Sequence, residues 1–193
     1  VKELVRIAFD LQTFCLEQGW RFCFIGGLAL QRWGEPRLTR DIDVTLLTGL
    51  GTELPFIESL LARYAARMPN ASQFALVNRV LLLKTPSGVG IDIAMAGMPF
   101  EEAVVERASD HSYGKGLRLH TCSAEDLVLL KAFADRPQDW VDIEGIVLRQ
   151  RAALDREFIT QNLEPLCELK EAPEIMDKLR GLFERFPPAA ATF

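Results

Sequence analysis

The sequence predicts an α+β fold, with a mixed β-sheet flanked by helices over residues 1–121 and a C-terminal helical bundle over residues 122–193. Three observations predict it. Short apolar runs alternate with amphipathic stretches through the first part, the pattern of a sheet with helices laid on it. The turn signal Thr85-Pro86-Ser87-Gly88 joins two strand-like runs into a β-hairpin. Beyond Thr121 only helical periodicity recurs, with no internal repeat and no low-complexity linker, so the helical segment is expected to pack directly on the core and form a cleft.

Leu4, Ile7, Ala8, Leu11, Phe14 and Cys15 recur at helical spacing before the terminator Gly19, so a helix spans residues 2–18. Phe22-Cys23-Phe24-Ile25 is the first strand, and Gly26-Gly27 turns it into a short helix carrying Leu28, Ala29, Leu30 and Trp33. Gly34-Glu35-Pro36 ends that helix. Asp41-Ile42-Asp43 heads a strand continuing through Val44-Thr45-Leu46-Leu47. After a loop at 48–51, Phe56, Ile57, Leu60, Leu61, Tyr64 and Ala65 mark a helix stopped by Met68-Pro69-Asn70, and Phe74 to Val77 reads as a short strand. The hairpin strands are Arg79–Lys84 and Val89–Ala94.

Pro99, Glu101 and Glu102 open a helix that runs to Ala108. Tyr113-Gly114-Lys115-Gly116 then turns into the alternating strand Leu117–Thr121, which closes the sheet. Ser123-Ala124-Glu125-Asp126 is a capping-box-like start for a helix with Leu127, Leu130, Lys131 and Ala134. Pro137 opens another with Trp140, Ile143 and Val147, and Asp155 caps a third with Phe158, Ile159, Leu163 and Leu166. Pro173 and Gly181 bracket a last helix, and Pro187-Pro188-Ala189-Ala190-Ala191 reads as a frayed tail.

Composition narrows the class. With 193 residues, 49% hydrophobic and 25% charged, the chain has the profile of a soluble globular protein able to bury a sizeable core. No apolar run reaches the length of a membrane span, and the start Val1-Lys2-Glu3-Leu4-Val5-Arg6 mixes charges into an amphipathic helix, so the expected compartment is the cytoplasm and no membrane partner is expected. Cys15, Cys23, Cys122 and Cys167 are scattered without a C-x-x-C pair, which reads as buried, reduced thiols. A net charge of −5 weighs against non-specific grip on long nucleic acid, and no DNA readout is evident. A local basic patch for an RNA end remains compatible with it.

The chemistry concentrates between Phe24 and Val44. Side chains alternate along a strand, so Asp41 and Asp43 share one face while Ile42 and Val44 point into the core. Like charges held side by side need a cation, a shared proton or solvent between them, and a divalent metal is the most economical choice. Oxygen ligands suit Mg²⁺ (or Mn²⁺), which commonly sits on carboxylates plus substrate phosphates. A glycine pair alone more often marks a tight turn, but beside paired aspartates the free amides of the following helix start suit phosphate oxygens. Asp92 is one carboxylate in an apolar strand, flanked by Ile91 and Ile93.

Gly26-Gly27, the intervening helix and Asp41-Ile42-Asp43, with Arg37, Thr39 and Arg40 ahead of the aspartates, resemble the signature of the nucleotidyltransferase superfamily related to DNA polymerase β. Within it, the string looks most like the branch of AbiEii-type toxins and small relatives. The resemblance implies a nucleotidyltransferase-like fold and transfer of a nucleoside monophosphate from a nucleoside triphosphate. Asp41, Asp43 and Asp92 would be the catalytic metal ligands, with Gly26 and Gly27 at the nucleotide. It also implies Lys131 on the nucleotide phosphates and a downstream aspartate, Asp142, completing the site, in the order Lys131, Arg136, Asp139, Asp142.

Arginine offers a fork of donors to phosphate and a hydroxyl can orient a carboxylate, which makes Arg37 and Thr39 nucleotide-binding candidates. Alternation aims Arg40 away from the aspartate face, Asp139 reads as a helix cap, and His111 and His120 lack an evident partner. The leading expectation is a metal-dependent nucleotidyltransferase acting on an RNA 3′ end such as tRNA, a protein hydroxyl or a small molecule, with an antitoxin as partner if the toxin role holds. Two alternatives stay open: a degenerate nucleotide- or partner-binding regulator, and a metal-dependent phosphohydrolase using the same carboxylates.

Overall fold

A computed structural model describes residues 2–188; Val1 and the tail from Ala189 onward lie outside the described residues. The α+β expectation holds. The described chain runs α1 (Lys2–Glu17), β1 (Phe22–Phe24), α2 (Gly26–Trp33), β2 (Asp41–Leu47), α3 (Leu54–Arg63), β3 (Ala65–Ala66), α4 (Ala71–Asn78), β4 (Val80–Lys84) and β5 (Gly90–Ala96). It continues with α5 (Pro99–Glu106), β6 (Ser109–Ser112), β7 (Arg118–Thr121), α6 (Ala124–Ala134), α7 (Pro137–Gln150), α8 (Arg156–Lys170) and α9 (Glu174–Arg185). Two compact units result: residues up to Leu28 with Arg37–Cys122, and Ala29–Pro36 with the chain from Ser123 onward.

The first unit carries a mixed sheet of order β3-β4-β5-β2-β1-β7-β6. β2 is flanked by antiparallel β1 and parallel β5, and β5 pairs antiparallel with β4 as the hairpin turn requires. Ile42, Val44 and Leu46 of β2 join Leu81, Leu83, Ile91, Ile93 and Met95 in one core with Leu4, Ala8 and Leu11 of α1. Full burial of a Val, Leu, Ile or Met side chain of this kind contributes roughly 1.5–3 kcal/mol. All four cysteines are buried, and burial pushes the Cys15 thiol up to about 12.

In the second unit α6 buries Ala124, Leu127, Val128, Leu129 and Ala132, apolar on several sides because α7, α8 and α9 pack around it. Ser123 caps it: its hydroxyl accepts the Asp126 N–H at 3.0 Å and donates to the Asp126 carboxylate at 2.6 Å. Gly34 lies against Leu30 and Ile146, which places the 29–36 segment in this unit. Among the described residues, no helix is long and apolar enough to cross a membrane.

Several expectations are corrected. Phe74–Val77 is not a strand but part of α4, where Ala71 and Ala75 bury one helical face; four apolar residues in a row fit either period. The helix expected to reach Ala65 stops at Arg63, because Tyr64 turns extended and Ala65–Ala66 pair with β4. β6 carries no apolar strand pattern: Ser109–Ser112 is polar and is drawn into the sheet by its antiparallel pairing with β7. α9 runs through Gly181, which costs about 1 kcal/mol against alanine and does not end a helix by itself.

Candidate functional site

Asp41 and Asp43 open β2, and their side chains leave the sheet on the face opposite buried Ile42 and Val44. β5 runs parallel to β2 with Asp92 opposite Asp43 and Gly90 opposite Asp41. Residues opposite each other on neighbouring strands point to the same side, so the three carboxylates share one face. Local alternation aligns the first two, and strand pairing adds the third.

Glycines make room for the two carboxylates of β2. A Cβ on Gly26, whose φ is +54°, would collide with the Asp43 carboxyl group, and a Cβ on Gly90 would collide with that of Asp41. Side chains are therefore excluded at both positions. The Asp43 carboxylate lies at the start of α2, where the helix dipole favours negative charge. The helix begins at Gly26 itself, so the glycine pair forms its first turn. Gly27 packs against Thr39. Thr39 donates its hydroxyl to the Asp41 main-chain carbonyl at 3.2 Å, so it steadies the backbone of the motif and not, as expected, a carboxylate.

Burial pushes the Asp92 carboxyl above the usual carboxylate range; Arg67 offsets part of this, while Asp43 and Asp41 add to it by repulsion. Arg67 was missed by sequence reasoning. Its Nη2 donates to Asp92 Oδ1 and its Nη1 lies 3.9 Å from Asp41 Oδ1. No local pattern marks it, since it follows a two-residue strand in a stretch read as the end of a helix.

Among the described residues, no group of three His, Cys, Asp or Glu side chains has the spacing to hold a metal ion, with the Arg67 guanidinium at Asp92 and near Asp41. The donor chemistry nevertheless fits a hard divalent cation: all oxygen, on one face, with a glycine cradle beside two of the carboxylates.

Arg37 is exposed, and its Nη1 lies 3.5 Å from the Leu38 carbonyl. Lys131 and Asp142 belong to the second unit and meet each other there. Lys131 Nζ donates to Asp142 Oδ2 at 2.6 Å and to Asp139 Oδ1 at 3.1 Å, and all three side chains are buried. Asp139 is thus no helix cap: it also accepts from Arg136 Nε at 2.6 Å. Gln138 donates to Asp142 Oδ1 at 3.1 Å. His120, expected to lack a partner, pairs through Nδ1 with Asp110 Oδ1 at 2.9 Å, because β6 and β7 place the two opposite each other.

Comparison with known proteins follows the same line. Residues 14–186 match the family described as nucleotidyl transferase AbiEii toxin, type IV TA system. No match was found among curated proteins. An antigenic nucleotidyltransferase-like protein from Paracoccidioides brasiliensis shares the fold at a TM-score of 0.51 and 14% identity, with 93% of each chain covered. The antibiotic-resistance factor ANT(2'')-Ia aligns with a TM-score of 0.49 at 17% identity, over 95% of this chain and 92% of its own.

Proposed function

The chain belongs to the AbiEii toxin family of nucleotidyltransferases, and from that premise we propose that it transfers the nucleoside monophosphate of an NTP to an acceptor hydroxyl in a reaction dependent on Mg²⁺ or Mn²⁺. The observation that carries this reading is the common face of Asp41, Asp43 and Asp92 beside the glycine start of α2. The three carboxylates would hold divalent cations, which when bound offset the charge of the phosphates and of the departing pyrophosphate.

The chain's own groups supply the rest. Amides in the first turn of α2, at Gly26 and Gly27, suit phosphate oxygens. Asp92, opposite Asp43 on the neighbouring strand, is assigned the role of general base. It takes the acceptor hydroxyl proton as the new oxygen bond to the α-phosphorus forms and the bond to the β-phosphate oxygen breaks, releasing pyrophosphate. Arg37 adds a guanidinium for phosphate oxygens, and Thr39 holds the Asp41 main chain. Lys131 and Asp142 enter as nucleotide-binding residues on the family resemblance.

The acceptor is an RNA 3′ end such as tRNA, a protein hydroxyl or a small molecule, and the family implies an antitoxin partner. Transfer of label from α-labelled NTPs to a cell extract identifies the acceptor class. Asp41→Asn and Asp43→Asn are expected to abolish Mg²⁺-dependent pyrophosphate release, and full activity in either variant excludes the mechanism.

A further inference from the structure

Arg67 stands in one row across the sheet with two of the carboxylates. β3 pairs with β4 with Ala66 opposite Leu83, and the pairing extends one residue further, where the Arg67 N–H donates to the Leu82 carbonyl at 3.0 Å. Leu82 lies opposite Asp92, and Asp92 opposite Asp43. Partners in successive strands share a face, so Arg67, Leu82, Asp92 and Asp43 form a single cross-sheet row. The guanidinium reaches over Leu82 to Asp92 and approaches Asp41.

Two further features single this arginine out. Its Nη1 is 3.0 Å from where a Cβ on Gly90 would stand, so the bare backbone at Gly90 leaves room for the guanidinium as well as the Asp41 carboxyl. The side chain is 30% exposed, which leaves it able to move. A divalent cation held on Asp92 would need the carboxylate oxygen that accepts from the guanidinium, and the two positive charges would repel, so binding of one would disfavour the other.

We propose that Arg67 is the resident counter-cation of the carboxylate row, displaced when a divalent cation binds, and that its freed guanidinium then pairs with phosphate oxygens of the bound nucleotide. This rests on the metal-dependent reading above. The main-chain bond to Leu82 anchors the residue while the long side chain swings, and a planar fork of donors suits phosphate oxygens once the carboxylates are taken.

The test titrates Mn²⁺ into the full chain, followed by electron paramagnetic resonance of the free ion, first without nucleotide and then with each of the four α,β-methylene NTPs. Arg67→Gln is expected to bind Mn²⁺ about tenfold more tightly without nucleotide, equivalent to about 1.4 kcal/mol, and the Mn²⁺-loaded analogue about tenfold more weakly. Arg67→Lys keeps the charge but loses the fork, so its Mn²⁺ affinity stays near wild type while analogue affinity falls. Unchanged or weaker Mn²⁺ binding by Arg67→Gln, or unchanged analogue binding by either variant, overturns the proposal. If Arg67→Gln fails to fold, Arg67→Lys decides through the analogue alone. Asp43→Asn separates the two levels. If it binds Mn²⁺ as wild type does, the metal-dependent reading fails; if it loses Mn²⁺ while Arg67→Gln matches wild type, only the role of Arg67 falls.

Discussion

Replacing Lys131 by methionine keeps the length of the side chain but leaves Asp139 and Asp142 without the ammonium that lies between them. Lys131 is 6% exposed, Asp139 2% and Asp142 5%, so water does not readily take its place. Removing one partner of a buried charge pair costs about 3–5 kcal/mol. Asp139 keeps Arg136 at 2.6 Å and Asp142 keeps the Gln138 amide at 3.1 Å, which puts the loss near the lower end, about 3 kcal/mol. For a chain of this length that is about 6–12 °C in Tm. Urea and thermal unfolding of Lys131→Met against wild type measure it, and the double variant with Asp142→Asn should recover part of the loss, because one of the stranded carboxylates is removed with its partner. NTP affinity is read in parallel. A Lys131→Met protein within about 1 kcal/mol of wild type refutes the buried network as the reason for this lysine. If NTP affinity then falls alone, its role is confined to phosphate.

Two further outcomes turn on pH. Glu53, buried beside β2's exit loop, accepts from Arg79 and from the Gly51 N–H at 3.0 Å, and chiefly the Arg79 hydrogen bond holds its carboxyl below the usual range. A depressed folded pKa contributes stability above the unfolded value that is lost as pH falls through the folded one. Glu53→Gln should therefore melt below wild type near neutral pH, with the gap closing as the pH falls below the ordinary carboxylate range; a constant gap contradicts this. Asp92 has the opposite sign: with its pKa raised mainly by burial, the ionised form is disfavoured by the fold. Asp92→Asn should melt at or above wild type near neutral pH, and the gain should vanish below about pH 4, where the unfolded chain is protonated too. A lower neutral-pH Tm for Asp92→Asn rejects the assignment.

The elements legible in the sequence are those whose period is local and whose ends are punctuated. α1 repeats its apolar residues at helical spacing up to Gly19, the hairpin carries its turn at Thr85–Gly88, and Ser123 with Asp126 announces α6. Misread elements lack such marks. Phe74–Val77 is too short for period to separate helix from strand. Ser109–Ser112 becomes a strand only because β7 lends it a partner, and His120 gains Asp110 by the same pairing.

The amino-acid order by itself determined that Asp41 and Asp43 face one way, since strand alternation has a period of two and needs no distant partner, and that glycines precede them where a chain must turn. Only the tertiary structure decided that β5 lies beside β2 in a register setting Asp92 opposite Asp43, that Gly90 leaves room for Asp41, and that Arg67 reaches the same row from the sheet's edge. Strand order and register come from closing long loops onto a shared core, a balance of burial and chain entropy spread over the whole unit, so no short window of sequence contains them.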